Sequence, residues 1–132
     1  RCAYLHLYGV SQACAMIALR RNQDVELATM AGMLHDLHSY KTMNTENHAE
    51  RGAVLARHIL EELDLTNGDE TDLICSAIQN HSSKDAIHSA FDEVLIDADV
   101  LQHCLYNPLF PVMEHEKRRF ENLLIEFGIC RR

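Results

Sequence analysis

An all-α fold, a single-domain bundle of about six helices, is what the sequence predicts, and three observations predict it. Apolar residues recur at intervals of three and four through most of the chain, no stretch alternates polar and apolar residues with a period of two, and cap or turn residues cut the pattern into helix-length pieces. With 132 residues, the chain has the size of one domain, residues 1–132. That length buries roughly two-thirds of the unfolded surface, enough for a real core.

The first helix is expected over about Cys2–Arg21, with Leu5, Ala13 and Ile17 at helical spacing and two arginines at its close. Asp24 caps a second helix, "VELATMAGMLHDL", which is apolar nearly all round and therefore expected to be central and buried. The polar run "SYKTMNTEN" reads as a connection or a lid over a site. A third helix, "HAERGAVLARHILEEL", begins near Glu46–His48 and stops before "DLTNGDE", where Asn67-Gly68 signals a turn. The fourth runs from about Glu70 through "TDLICSAIQNH", and the fifth from about Phe91 to Tyr106, ended by the Asn107-Pro108 pair. Pro111 can open a sixth helix at its first turn, "PVMEHEKRRFENLLIEFG", closed by Gly128.

Composition excludes some functions. A formal charge of −8 repels a nucleic-acid backbone, so duplex binding is not expected; the basic cluster "EKRRF" and the terminal Arg131 and Arg132 read as solvated helix-end charge. No apolar run is long enough to span a membrane. The chain opens on Arg1 rather than Met, the pattern of a trimmed fragment, and the residues present show no signal peptide. Cys2, Cys14, Cys75, Cys104 and Cys130 occur singly, an odd set without CxxC, which points to a reducing, cytoplasmic setting with each thiol as a small buried hydrophobe.

The chemistry concentrates in "MLHDLHSY", where His35 and Asp36 interrupt an apolar helix. A buried carboxylate without partners costs several kcal/mol, and a neutral imidazole needs both ring nitrogens satisfied. A lone pair of this kind is usually a hydrogen-bonded couple at a helix end. Here other helices bring matching residues: His6 in the first, His48 at the start of the third, His81 at the end of the fourth, and Asp99 in the apolar "LIDADVL" of the fifth. Imidazole and carboxylate donors in this mixture suit one or two divalent transition ions, Mn, Fe, Ni, Co or Zn, and bundle interiors commonly house them.

In order, these elements resemble the HD-domain metal-dependent phosphohydrolases. "HLYGV" at His6, "AGMLHDL" at His35-Asp36 and "DADVL" at Asp99 are similar to the His, His-Asp, Asp pattern of that family, and "HAERGA" at His48 and "IQNHSSK" at His81 to the further histidines of its two-metal members. The resemblance spans about residues 5–105 and leaves the last helix uncovered. It implies that His6, His35, Asp36 and Asp99 hold a first metal, and that His48 and His81 hold a second with Asp36 bridging. Asp97 competes with Asp99 for the distal place and otherwise orients a ligand histidine. Asp36 would position the attacking water, and Lys84 and Arg51, each three residues beyond a ligand, would meet the anionic substrate.

The implied reaction is hydrolysis of a phosphoester or phosphoanhydride in a small phosphorylated metabolite, a nucleotide, under the 39–47 segment. A homodimer stays open. Where many relatives continue His-Asp with Ile-Gly-Lys, this chain reads "HDLHSYK", so a phosphate contact passes to Lys41 or Lys84; the Gly-Tyr-Pro signature of cyclic-dinucleotide phosphodiesterases is absent. His38 is expected at the lip of the site or exposed, His58, His88 and His115 at the surface, and His103 hydrogen-bonded to Asp99 one turn away. Two alternatives stand beside this reading: a di-iron oxygenase built on a similar cluster, and a non-catalytic helical module whose polar residues form only a buried network.

Overall fold

The structure, a computed structural model, describes residues 2–129. These form seven helices: α1 (Ala3–Arg21), α2 (Val25–Leu34), α3 (Leu37–Thr42), α4 (His48–Leu63), α5 (Gly68–Asn80), α6 (Ala90–Tyr106) and α7 (Glu114–Glu126). No described residue forms a strand. None of the helices is long and apolar enough to cross a membrane.

The helix beyond the expected six is α3, which occupies the first part of the segment expected to be a loop. It ends at Met43, which adopts a left-handed φ of 56°, and it buries none of its residues. Six residues with Leu37 as their single aliphatic side chain are too few to display an apolar stripe, so periodicity had nothing to register.

Two helix starts differ from expectation for local reasons. Asn67-Gly68 is not a turn: the Asn67 side chain accepts from the Glu70 amide while Glu70 accepts from the Asn67 amide, a capping box that starts α5 at Gly68. Pro111 does not open α7, which begins at Glu114 behind Met113. α2 and α6 start at side-chain caps, Asp24 accepting from Leu27 and Ser89 from Asp92.

The central helix is α6 rather than α2. It packs against α1, α2, α5 and α7, and Val94 through Val100 are all buried. α2 buries only the face of Leu27, Ala28, Ala31 and Gly32 and leaves Met33 exposed. Val25, Met30 and Leu34 are only partly buried against the core. The core joins Val10, Cys14, Ile17, Leu60, Ile74, Ile78, Val94 and Leu95. At Gly32 a Cβ would lie 2.7 Å from Ser11 Cα, so only glycine lets α1 and α2 approach this closely.

The thiols divide. Cys14 and Cys75 are buried as expected, whereas Cys2 is exposed at the start of α1 and Cys104 is half-buried; Cys130 lies outside the described residues, as do Arg131 and Arg132.

Candidate metal centre

α1, α2, α4, α5 and α6 deliver their polar residues to one end of the bundle. α2 ends at His35, and Asp36 takes φ −114°, ψ 10°, near the sparsely allowed bridge region, before α3 begins. On a continuous helix adjacent side chains diverge by about 100°. The break lets His35 and Asp36 face the same point.

His6, His35, Asp36 and Asp99 each offer an atom within 4.8 Å of the other three, and Asp36, His48 and His81 form a second such group. His6 Nε2 stands 3.2 Å from Asp36 Oδ2 and 3.5 Å from Asp99 Oδ1. His35 Nε2 lies 3.4 Å from both of those carboxylates. The other oxygen of Asp36, Oδ1, is 3.3 Å from His81 Nε2, so this one carboxylate faces both groups.

The ring nitrogens show what the cluster needs. In three of the rings Nδ1 has a carbonyl-type acceptor: His35 donates to Gly32 O at 2.7 Å, His81 to Ile78 O at 2.6 Å, and His6 to Gln102 Oε1 at 2.7 Å. A carbonyl oxygen can only accept, which fixes the proton on Nδ1 and turns the Nε2 lone pairs of neutral rings toward the carboxylates. Lone pairs then face anions. His35 Nε2, Asp36 Oδ1 and Asp99 Oδ1 are buried without a hydrogen-bond partner.

A cation resolves this, either protons on the imidazoles or a metal ion. Protons satisfy the charge, and His35 is accordingly made more basic: burial opposes its charged form, but Asp99 and Asp36 outweigh it. Charge-assisted hydrogen bonds, however, close to about 2.7–2.9 Å, and these contacts are 3.2–3.5 Å. Such spacing matches the edge of a coordination polyhedron with bonds of about 2.1 Å, about 3.0–3.4 Å. The donor set fits a transition metal, and the hydrogen bonds behind His6, His35 and His81 are the support ligand histidines normally have.

Outside this cluster lies a ring of charge. Lys84 Nζ binds Asp99 Oδ2 at 2.9 Å and Glu116 Oε2 at 3.5 Å. His103 stacks on His6 with centroids 5.4 Å apart, reaches Asp99 Oδ1 at 3.4 Å through Nε2, and donates from Nδ1 to Glu116 at 2.9 Å. His103 was expected to hydrogen-bond Asp99; it approaches Asp99 Oδ1 without a hydrogen bond and bonds Glu116 instead. Burial would raise the Asp99 carboxyl, but His35, Lys84 and His103 hold it well below the usual carboxylate range. Asp36 is likewise held low, burial being outweighed by His6, His81 and His35.

Asp97 plays neither part expected of it. Its oxygens bind Arg21 Nη2 at 2.7 Å and Arg119 Nη1 at 3.0 Å, because two residues of helix turn it to the far side of α6 from Asp99. Arg51 is exposed on α4, beside a groove with His38, Glu50 and His58, outside both ligand groups. Lys41 is exposed on α3, His58 and His115 are exposed, and His38 and His88 are half-buried.

Glu116 is the residue that sequence reasoning missed. It falls with Phe120 and Leu123 on the buried stripe of α7, at i, i+4 and i+7. An acid on a core-facing stripe was the available signal.

The family model described as HD domain matches residues 3–104. Among solved structures, the chain is similar to the crystal structure of a predicted HD superfamily hydrolase from an uncultured Thermotogales bacterium, with a TM-score of 0.62 and 23% identity over 93% of this chain and 75% of that one. A search of curated proteins found no significant match.

Proposed function

We propose, because the chain belongs to the HD domain family, that it is a metal-dependent phosphohydrolase acting on a phosphoester or phosphoanhydride of a small phosphorylated metabolite, a nucleotide. The observation that carries this reading is the sharing of Asp36: one carboxylate faces two ligand groups, His6-His35-Asp99 and His48-His81. Divalent transition ions, when bound, supply an acidified water and neutralise phosphoryl oxygens. The nucleotide assignment rests on the family resemblance, and the choice among Mn, Fe, Ni, Co and Zn on the mixed donor set.

The chain's own residues have distinct tasks. His6, His35, Asp36 and Asp99 would hold one ion, and His48, His81 and Asp36 the other. Asp36, ionised and the most solvent-accessible carboxylate of the set, would accept a hydrogen bond from the attacking water and so aim it. Lys84 uses two contacts on Asp99 and Glu116, and an ammonium has three N–H donors, so one remains for a phosphoryl oxygen. Arg51, one turn beyond His48 and exposed, would reach only a substrate extending past the ligand groups.

The test is a phosphatase screen of nucleotides and sugar phosphates with several divalent metals, run beside Asp36→Ala. Metal-dependent release of phosphate that vanishes in the variant is expected. Equal turnover by both proteins would overturn the proposal.

A further inference from the structure

A cavity of about 240 Å³ opens between the end of α6 and the start of α7, walled by His103, Tyr106, Asn107, Phe110, Met113 and Glu116 among others. Two of these residues also belong to the surroundings of Asp99: His103 touches it, and Glu116 is bridged to it by Lys84. The cavity therefore starts where the ligand cluster ends.

Three features define what would fill it. Its size is below the ~300–1,000 Å³ of pockets for drug-sized ligands, so it takes one ring system rather than a whole dinucleotide. Its wall is mainly apolar and aromatic, and Phe110 and Met113 stay 72% and 61% exposed, large side chains that a bound ring would cover. No lysine or arginine lines it. The carboxylate in the wall, Glu116, is already engaged by His103 and Lys84, so a second anionic group would meet repulsion and no free cation. On the other side of the cluster, the recess beside His48 is lined by Asn47, Ala49, Glu50, Gln79 and Ser82 and offers no ring a surface.

We infer that the α6–α7 cavity is the subsite for the uncharged, ring-bearing organic half of a phosphomonoester whose phosphoryl group lies at the histidine-aspartate cluster. This rests on the phosphohydrolase reading, which it deepens: the preferred substrate is an ester with one phosphoryl group and an aromatic or similarly planar remainder.

The experiment uses the full chain loaded with Mn²⁺, with phenyl phosphate, methyl phosphate and 4-carboxyphenyl phosphate as substrates, and compares wild type with Phe110→Ala and, as a control at a distant exposed position, Leu65→Ala. Wild type is expected to prefer phenyl over both methyl and 4-carboxyphenyl phosphate. Phe110→Ala should lower the phenyl-to-methyl ratio of kcat/KM about tenfold through KM, with Leu65→Ala unchanged. An unchanged ratio in Phe110→Ala, or a preference for the carboxylated ester, would overturn the subsite.

If none of these esters is hydrolysed and the screen of nucleotides and sugar phosphates is negative as well, the phosphohydrolase reading fails. The cavity is then judged by saturation-transfer NMR with phenylphosphonate: transfer to the phenyl ring that drops in Phe110→Ala supports it, and equal transfer in both proteins, or none in wild type, refutes it.

Discussion

Asp97 and Asp99 stand on the same face-to-core helix, 7% and 3% exposed, yet their surroundings are opposite. Asp97 meets two guanidinium groups, and those of Arg21 and Arg119 are shared onward with Glu126 and Glu93, so every charge has a partner. Asp99 has Lys84 on one oxygen, while the other faces three imidazole Nε2 atoms at 3.4–3.5 Å and keeps no hydrogen bond. The first carboxylate is complete within the chain. The second is complete only with a cation, and that difference separates a structural acid from one held ready for a metal.

The largest contrast is expected from removing each charge in turn. Asp99→Asn should lower metal-dependent phosphate release more than the roughly 10–100-fold typical of losing a group behind a ligand, with metal content falling alongside. Asp97→Asn should do the reverse: metal content stays, and denaturant unfolding loses about 3 kcal/mol, the low end for a broken buried pair because Glu126 and Glu93 still serve the arginines. If both variants lose stability alike and keep metal alike, the two acids are equivalent.

A backbone change sharpens the same point from the side of geometry. Gly32→Ala puts a Cβ 2.7 Å from Ser11 Cα and must push α1, which carries His6, away from α2, which ends at His35. The expected loss is about 1–3 kcal/mol, with weaker metal binding. Gly68→Ala, whose new Cβ meets nothing within 4 Å, should be close to neutral. Chemical denaturation of the pair distinguishes a packing constraint from a general glycine effect.

The smallest effect concerns pH at the structural end of the comparison. The Arg21 hydrogen bond holds Glu126 below its ordinary value of 4.5. A carboxyl whose folded pKa is depressed stabilises above the unfolded value and loses that contribution as pH falls through the folded one. Glu126→Gln should therefore narrow its stability gap to wild type on acidification below about pH 4.5, most of the gap being present at neutrality. A gap that widens instead would mean that Arg21 does not hold this residue.

Much of the site was legible because its residues contradict their surroundings. His35, Asp36 and Asp99 interrupt apolar runs; Asp99 lies within α6 as expected, whereas the helix expected to continue through His35 and Asp36 stops at Leu34 and leaves both in the turn before α3. α3 and the start of α5 were hidden for local reasons: one is too short and polar to show a stripe, and the other depends on a reciprocal side-chain cap. The fates of Asp97 and Arg51 were illegible because they depend on which helix faces which. Arg21 and Arg119 are 76 and 22 residues from Asp97 in sequence, and no local pattern joins them. Glu116 was masked by its exposed charged neighbours in "EHEKRR", although its spacing to Phe120 and Leu123 marked it as inward-facing.

The central claim is that these imidazole lone pairs and carboxylates are arranged for inorganic cations. Titration of metal-free protein with Mn²⁺ by calorimetry, with thermal melts of the same samples, tests it most directly. The arrangement predicts two ions per chain and a raised melting temperature for wild type, and at most one ion for Asp99→Asn, which leaves the Asp36-His48-His81 group intact. Wild type that takes up no ion at millimolar Mn²⁺, or a variant that binds as wild type does, would contradict it.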